Sequence, residues 1–375
     1  MAELIQKPAY RDERLDTFRG LAMILVVFNH CLYWMNFFND GFLKSYLLIG
    51  TQLFFVIAGA SNGMSRKKPL WEFYLIRFKR ILFPYWLYAI ICLIITYFVV
   101  TQPFNIGKTL ANWFLYFKQK PCNPSILMWA LWFVPVYLLV MALFPFLRSY
   151  YERNSKAIVR FIPLLIFAAL VFLLQYKWLP LSGKTLYYTK MTAFYGFFTY
   201  LGLFFTIFIQ RTKQQMRNAV ILALGCAIAI IAAIMLFNVS PNMQINKFPA
   251  PNFTFFLFSI GILSIVYIFS DYIIRAINFC KRNSVFAWVY AQYTKHGLTI
   301  FLFHPFVFLL LIEIRKLLFA GHTTSWLAFI VTVAFAIPLS GCVGYLLAWI
   351  EKLAQIRMAK PSPKADDMKI KTLQC

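Results

Sequence analysis

RLDTFRGLAMILVVFNHCLYW, residues 14–34, is an apolar run with an arginine at its foot and a histidine at its middle. Its length predicts a helix that crosses a membrane. Arg19 and His30 are eleven positions apart, which at ~100° per residue returns to within about 20° of the same face, roughly 16 Å along the axis. A histidine at bilayer depth is expensive and faces a bundle interior or a wet cavity, which makes His30 a functional candidate. The plainer alternative is a histidine hydrogen-bonded to a neighbouring helix.

The rest of the chain is of the same kind. Of 375 residues, 61% are hydrophobic and 19% aromatic, and only 13% are charged, against about 25% in soluble domains. The sequence therefore predicts an all-α polytopic membrane protein. Apolar stretches over 17–38, 43–62, 79–101, 127–146, 157–176, 190–209, 218–238, 253–272, 296–315 and 325–350 suggest a bundle of about ten transmembrane helices. A net charge of +25 is explained by where the basic residues fall. With the N-terminus inside, 27 of the 37 Lys and Arg lie on inner segments, so the positive-inside rule puts both termini in the cytoplasm. No basic run carries the interleaved aromatics of a nucleic-acid module, and nucleic acid is excluded as a partner. The organisation expected is a cytoplasmic arm over 1–13, a membrane domain over 14–350 and a basic cytoplasmic tail over 351–375.

The first apolar run is too long for a signal peptide and is expected to remain as an anchor. Of seven cysteines only Cys122 falls in an outer loop, so no outer disulfide is expected, and no spacing of Cys and His suggests a metal.

Several segments carry candidate chemistry. Asp16 and Arg19 are three apart and close enough to pair at the helix foot. GTQLFFVIAGASNG (50–63) is rich in small residues that let another helix approach. In MSRKKPLWEFYLIRFKRILFPYW (64–86), Arg77 and Arg80 project from neighbouring helical positions and suit phosphate oxygens, or else snorkel to lipid headgroups. Pro84 follows one turn later and is expected to kink the helix. Trp129, Trp132 and Phe133 in MWALWFVPVYLL (128–139) form an aromatic belt or line a ligand site. The outer loops LPLSGKTLYYTK (179–190) and NVSPNMQINKFPAPN (238–252) are placed to meet a polar substrate. His304 lies eight residues deeper than His296, and Glu313 is expected to form a salt bridge beside Arg315 and Lys316.

Taken together these segments resemble the acyltransferase 3 family of integral membrane acyltransferases. LDTFRGLAMILVVFNH is similar to its arginine, ten residues, histidine motif, on Arg19 and His30. FFVIAG resembles its paired aromatics before a small-residue bend, with Ala58 where serine is more usual. RFKRILFP resembles its arginine–two residues–arginine motif, on Arg77 and Arg80. LWFVPVYLL and GLTIFLFHP resemble the fourth-span tryptophan-phenylalanine signature and the histidine-bearing late span. The matches run from residue 14 to 306.

The resemblance implies an acyl-CoA donor substrate taken from the cytoplasm, with no permanently bound cofactor, and transfer of its acyl group, most often acetyl, to a hydroxyl of a carbohydrate or glycolipid acceptor. It implies a multi-pass protein of the cell membrane, the bacterial inner membrane in particular. It makes His30 and Arg19 the catalytic candidates, and Arg77 and Arg80 the donor-binding ones. An imidazole, with an ordinary pKa near 6.5, suits removal of the hydroxyl proton, and an acyl-histidine route stays open beside direct transfer. Arg19 either helps hold donor phosphates or fixes Asp16 and the helix foot. Asn29, Trp132, Tyr137 and His304 are unranked candidates for the oxyanion donor, and Phe133 is a candidate lining residue. The runner-up from another class is a transporter or flippase for an anionic or lipid-linked glycan. That reading would favour internal repeats with broken helices, and no such repeat is visible.

Overall fold

The 14–34 stretch folds as a helix whose start is written into its first residues. Asp12 stands at the N-cap, its side chain accepting from the Arg14 amide at 2.8 Å, and Glu13 and Asp16 place negative charge in the first turn, where the helix dipole favours it. The computed structural model describes residues 12–37, 44–99, 105–115, 117, 122–176, 178–319 and 326–356. Among them there is helix and no strand.

In chain order the helices are α1 (Glu13–Trp34), α2 (Gly50–Met64), α3 (Leu70–Val99), α4 (Ile106–Phe114), α5 (Phe133–Arg153), α6 (Ala157–Gln175), α7 (Gly183–Leu201), α8 (Lys213–Phe237), α9 (Met243–Lys247), α10 (Phe253–Ile268), α11 (Ser270–Cys280), α12 (Ser284–Lys295), α13 (Gly297–Phe319), α14 (Trp326–Leu346) and α15 (Ala348–Ile356). The protein is a multi-pass membrane protein. Among the described residues, seven helical segments are long and apolar enough to span: α1, α3, the Ser125–Arg153 segment ending in α5, α6, α8, α13 and α14. The pair α10 and α11, bent by 65°, makes an eighth if counted as one span.

Helix occupies most of each of the ten apolar stretches, but not every stretch is a plain span. α2 has fifteen residues, about 22 Å at ~1.5 Å per residue, against a hydrocarbon core of about 30 Å. The first two turns of α7 carry Lys184, Thr185, Thr189 and Lys190. The stretch over 253–272 breaks at Phe269. The segment before His296 forms the helix α12, which packs on α1, with the Tyr290 hydroxyl donating to the Thr17 carbonyl. The tail from 351 begins as helix: buried Glu351 on α15 accepts from the Thr299 amide at 3.1 Å and its hydroxyl at 2.6 Å, so a carboxylate faces the free amides at the start of α13. His296 Nδ1 lies 3.6 Å from the same carboxylate. Glu313 forms its salt bridge with Lys316, at 2.7 Å.

α1 is central, touching α2, α12, α13 and α14. α8 packs mainly on α10 and presents nearly all its side chains outward, as a lipid-facing helix should. The tightest crossing joins α2 to α7. A Cβ on Gly59 would fall 1.8 Å from the Thr199 carbonyl oxygen, and one on Gly202 would fall 2.2 Å from that of Val56. Backbone meets backbone there, so no side chain can rotate away. Gly59→Ala is expected to cost about 1–3 kcal/mol or more of stability, read as a lower thermal midpoint of the detergent-purified protein. An unchanged midpoint would mean the crossing can open freely.

Candidate active site

The arrangement that organises the site is a pair of histidines from opposite ends of the chain. His30 Nδ1 and His304 Nε2 are 2.7 Å apart. The other nitrogen of His304, Nδ1, lies 2.8 Å from the Phe301 carbonyl and 3.1 Å from that of Ile300. Carbonyl oxygens only accept, so Nδ1 of His304 carries the proton and donates. Its Nε2 in the neutral ring is then an acceptor. It follows that His30 donates from Nδ1 to His304, leaving the lone pair of His30 Nε2 free of any hydrogen bond among the described residues. One pair of carbonyls thus fixes the tautomer of both rings, and the outcome is a base. Stacking holds the pair in place: Trp34, one turn after His30, lies on its ring at 3.8 Å between centroids and 10° between planes, and its centroid is 5.1 Å from that of His304.

His30 lines a cavity of about 340 Å³. Its walls include Trp34, Trp129, Trp132 and Phe133, and on the side away from the foot of α1 it is bounded by Gln244, Lys247 and Phe248. His304 is fully buried behind His30. Asn29 also lines the cavity. Its amide nitrogen donates to the Leu47 carbonyl at 2.8 Å, and its Oδ1 is buried with no hydrogen-bond partner among the described residues, as is the Tyr33 hydroxyl. Tyr137 stands outside the cavity, packed on Phe133 and Phe55 at 5.4 and 5.8 Å between centroids.

The arginine of the first motif is elsewhere. Arg19 bonds Asp16 at 2.6 Å and the Ser61 hydroxyl at 2.9 Å, at the foot of α1 and about 16 Å from His30 by helical rise. Close to that foot is a second cavity, of about 400 Å³, lined by Arg66, Lys67, Lys68, Arg77, Arg148 and Arg153 with aromatic walls from Phe73, Phe144 and Phe146. Lys67 and Arg148 are tied to Glu152, and Lys68 to Glu72. Arg77 lies in this wall, over the Phe73 ring at 5.6 Å. Arg80 is exposed and does not line it. Among the described residues no cluster of three or more His, Cys, Asp or Glu could hold a metal.

A base at the edge of a tryptophan-walled cavity, with a cationic pocket a helix-length away, is a layout for moving a group between two substrates. A family model described as an acyltransferase domain matches residues 12–345. The chain belongs to the acyltransferase 3 family. Membership in this family makes the protein a membrane acyltransferase. The chain matches no curated protein and no solved structure. The acyltransferase fold brings together His30, His304, Asn29, Trp132 and Phe133 from the sequence candidates, gathers Arg77 with five other basic residues, and leaves Arg19, Arg80 and Tyr137 outside both cavities. Sequence reasoning missed Trp34, whose position four residues after His30 was a usable signal. It also missed Lys247, which had only a flagged loop to announce it.

Proposed function

We propose that this acyltransferase moves an acyl group, acetyl in the simplest case, from cytoplasmic acyl-CoA to a hydroxyl of a cell-surface or lipid-linked carbohydrate. In this reading the bundle has ten spans with both termini in the cytoplasm, in a bacterial inner membrane. The observation that carries it is His30 on the cavity wall with His304 behind it. As the acceptor oxygen attacks the thioester carbonyl, its proton passes to His30 Nε2. When the tetrahedral adduct collapses, the C–S bond breaks and the leaving thiolate takes that proton back, so the imidazole ends as it began. Tryptophan faces, with Thr51 and Gln244 as polar side chains in the same wall, suit a sugar, which offers apolar C–H faces and hydroxyl groups.

The donor's phosphates are read into the basic pocket at the foot of α1. Ser61, which Arg19 holds, and Ser65, in the pocket wall, are one turn apart at the end of α2. The distance from that level to His30 is therefore near the ~16 Å rise of α1, of the order an extended pantetheine arm covers. Arg77→Ala should raise the apparent Michaelis constant for acetyl-CoA about tenfold or more, the scale of one charge-assisted phosphate contact. Arg80→Ala should raise it less, and donor titrations unchanged in both variants would remove the phosphates from this pocket. The reading as a whole is tested by mixing purified protein, acetyl-CoA and glycan extracted from cells lacking the gene. Release of free thiol together with acylated glycan is the expected result. Glycan that moves across vesicle membranes while the thioester stays intact would establish a flippase instead.

A further inference from the structure

The cavity beside His30 has one charged residue of fixed sign in its wall, Lys247, and among the described residues no Asp or Glu lines it. Lys67, Lys68 and Lys316 meet carboxylates, on Glu152, Glu72 and Glu313, and buried Lys44 donates to the Phe37 carbonyl at 3.1 Å. Lys247 has the Phe248 ring at 5.3 Å and no carboxylate partner among the described residues. Burial lowers its ammonium to about 8, so it still carries its charge at neutral pH.

The lysine is not on a loose loop. Its short helix α9 is fastened at several points to other parts of the fold. The Met243 amide donates to Ser45 Oγ at 3.0 Å, and the Tyr46 hydroxyl donates to the Pro241 carbonyl at 3.0 Å. Asn246 donates to the Ser240 carbonyl at 2.6 Å and accepts from Asn252 Nδ2 at 2.7 Å. A cation whose backbone is fixed beside a cavity, without a counter-charge, is better matched when something negative enters that cavity. In the reading above the donor's phosphates lie at the other end of α1, and the transferred acyl group is neutral. The negative charge then has to come with the acceptor.

Resting on that acyl-transfer reading, we propose that Lys247 binds a carboxylate or phosphate on the acceptor, so that the protein acylates an acidic glycan and Lys247 sets its specificity. The ion pair would orient the sugar with one hydroxyl toward His30. A neutral sugar would leave the ammonium desolvated and unpaired, so selectivity comes from the penalty on the wrong acceptor as well as the contact with the right one.

The test uses the full chain in its producing cells, as wild type, Lys247→Met, Lys247→Arg and His30→Ala. Mass spectrometry with linkage analysis of the surface glycans identifies the sugar whose acylation depends on His30. That sugar, or the one joined directly to it, is expected to carry a carboxylate or a phosphate, and the linkage analysis says which. With the purified proteins and glycan from cells lacking the gene, Lys247→Met should lower kcat/KM for the acceptor roughly ten- to a hundred-fold. Membrane abundance and the apparent Michaelis constant for acetyl-CoA should stay unchanged, and Lys247→Arg should keep most of the activity. His30-dependent acylation of a neutral sugar with only neutral neighbours would overturn the proposal while leaving acyl transfer standing. So would wild-type acceptor kinetics in Lys247→Met, or a loss confined to the acetyl-CoA constant. The absence of any His30-dependent acylation would remove the transfer reading itself, and this inference with it.

Discussion

His30→Ala should leave the protein in the membrane at near-normal abundance and abolish acyl transfer. General-base catalysis is worth about 10²- to 10⁴-fold, and the other imidazole, His304, does not line the cavity: the nitrogen that His30→Ala frees on it sits behind the lost ring, a ring's width short of the acceptor. The structural loss is small by comparison: one side-chain hydrogen bond, about 1 kcal/mol, and the stack on Trp34, about 0.5–1.5 kcal/mol. His30→Gln separates the two effects. A glutamine amide can still donate toward His304 Nε2, restoring the bond, but it cannot take a proton at neutral pH. Both variants should therefore release no thiol above background, with glutamine the more stable. Wild-type rates in either would dispose of His30 as the base.

What the sequence disclosed and what it hid follow from the range of the forces involved. Apolar length marks helices in a membrane, and helix lies on every expected stretch. But α2 stops at fifteen residues and the 253–272 stretch bends, because a hydropathy window responds to composition and not to a backbone crossing as close as Gly59 on Thr199. Helical spacing put Arg19 and His30 on one stripe, which says nothing of depth or partners. Arg19 is satisfied locally by Asp16 and Ser61, whereas His30 finds its partner 274 residues away. Similarly, three-residue spacing made Arg77 and Arg80 look equivalent. Only the placement of α5, which brings Phe144, Arg148 and Arg153 to the pocket, selects Arg77. Lys247 was legible as part of a polar loop and no further, since its position depends on bonds from Ser45 and Tyr46, nearly two hundred residues earlier.

The second large effect belongs to His304, which acts on the reaction through His30. His304→Leu removes the acceptor for the His30 Nδ1 proton and leaves a polar hydrogen buried against hydrocarbon, at a cost of about 1–3 kcal/mol. The imidazole can escape that cost by moving its proton to Nε2 or by turning, and either choice takes the lone pair away from the cavity. The catalytic rate should fall about 10²-fold or more, the share of the barrier that general-base catalysis supplies, while the apparent Michaelis constant for acetyl-CoA holds, because no donor contact has changed. His304→Gln offers an oxygen that can accept from His30 and an amide that can donate to the Phe301 and Ile300 carbonyls, so it should recover part of the lost rate. A residue present only for packing would give the opposite order, with leucine, the better fit to an apolar core, outperforming glutamine. Equal losses in kcat for the two variants, or a loss seen only in membrane abundance, would show that the tautomer of His30 is set by something other than His304.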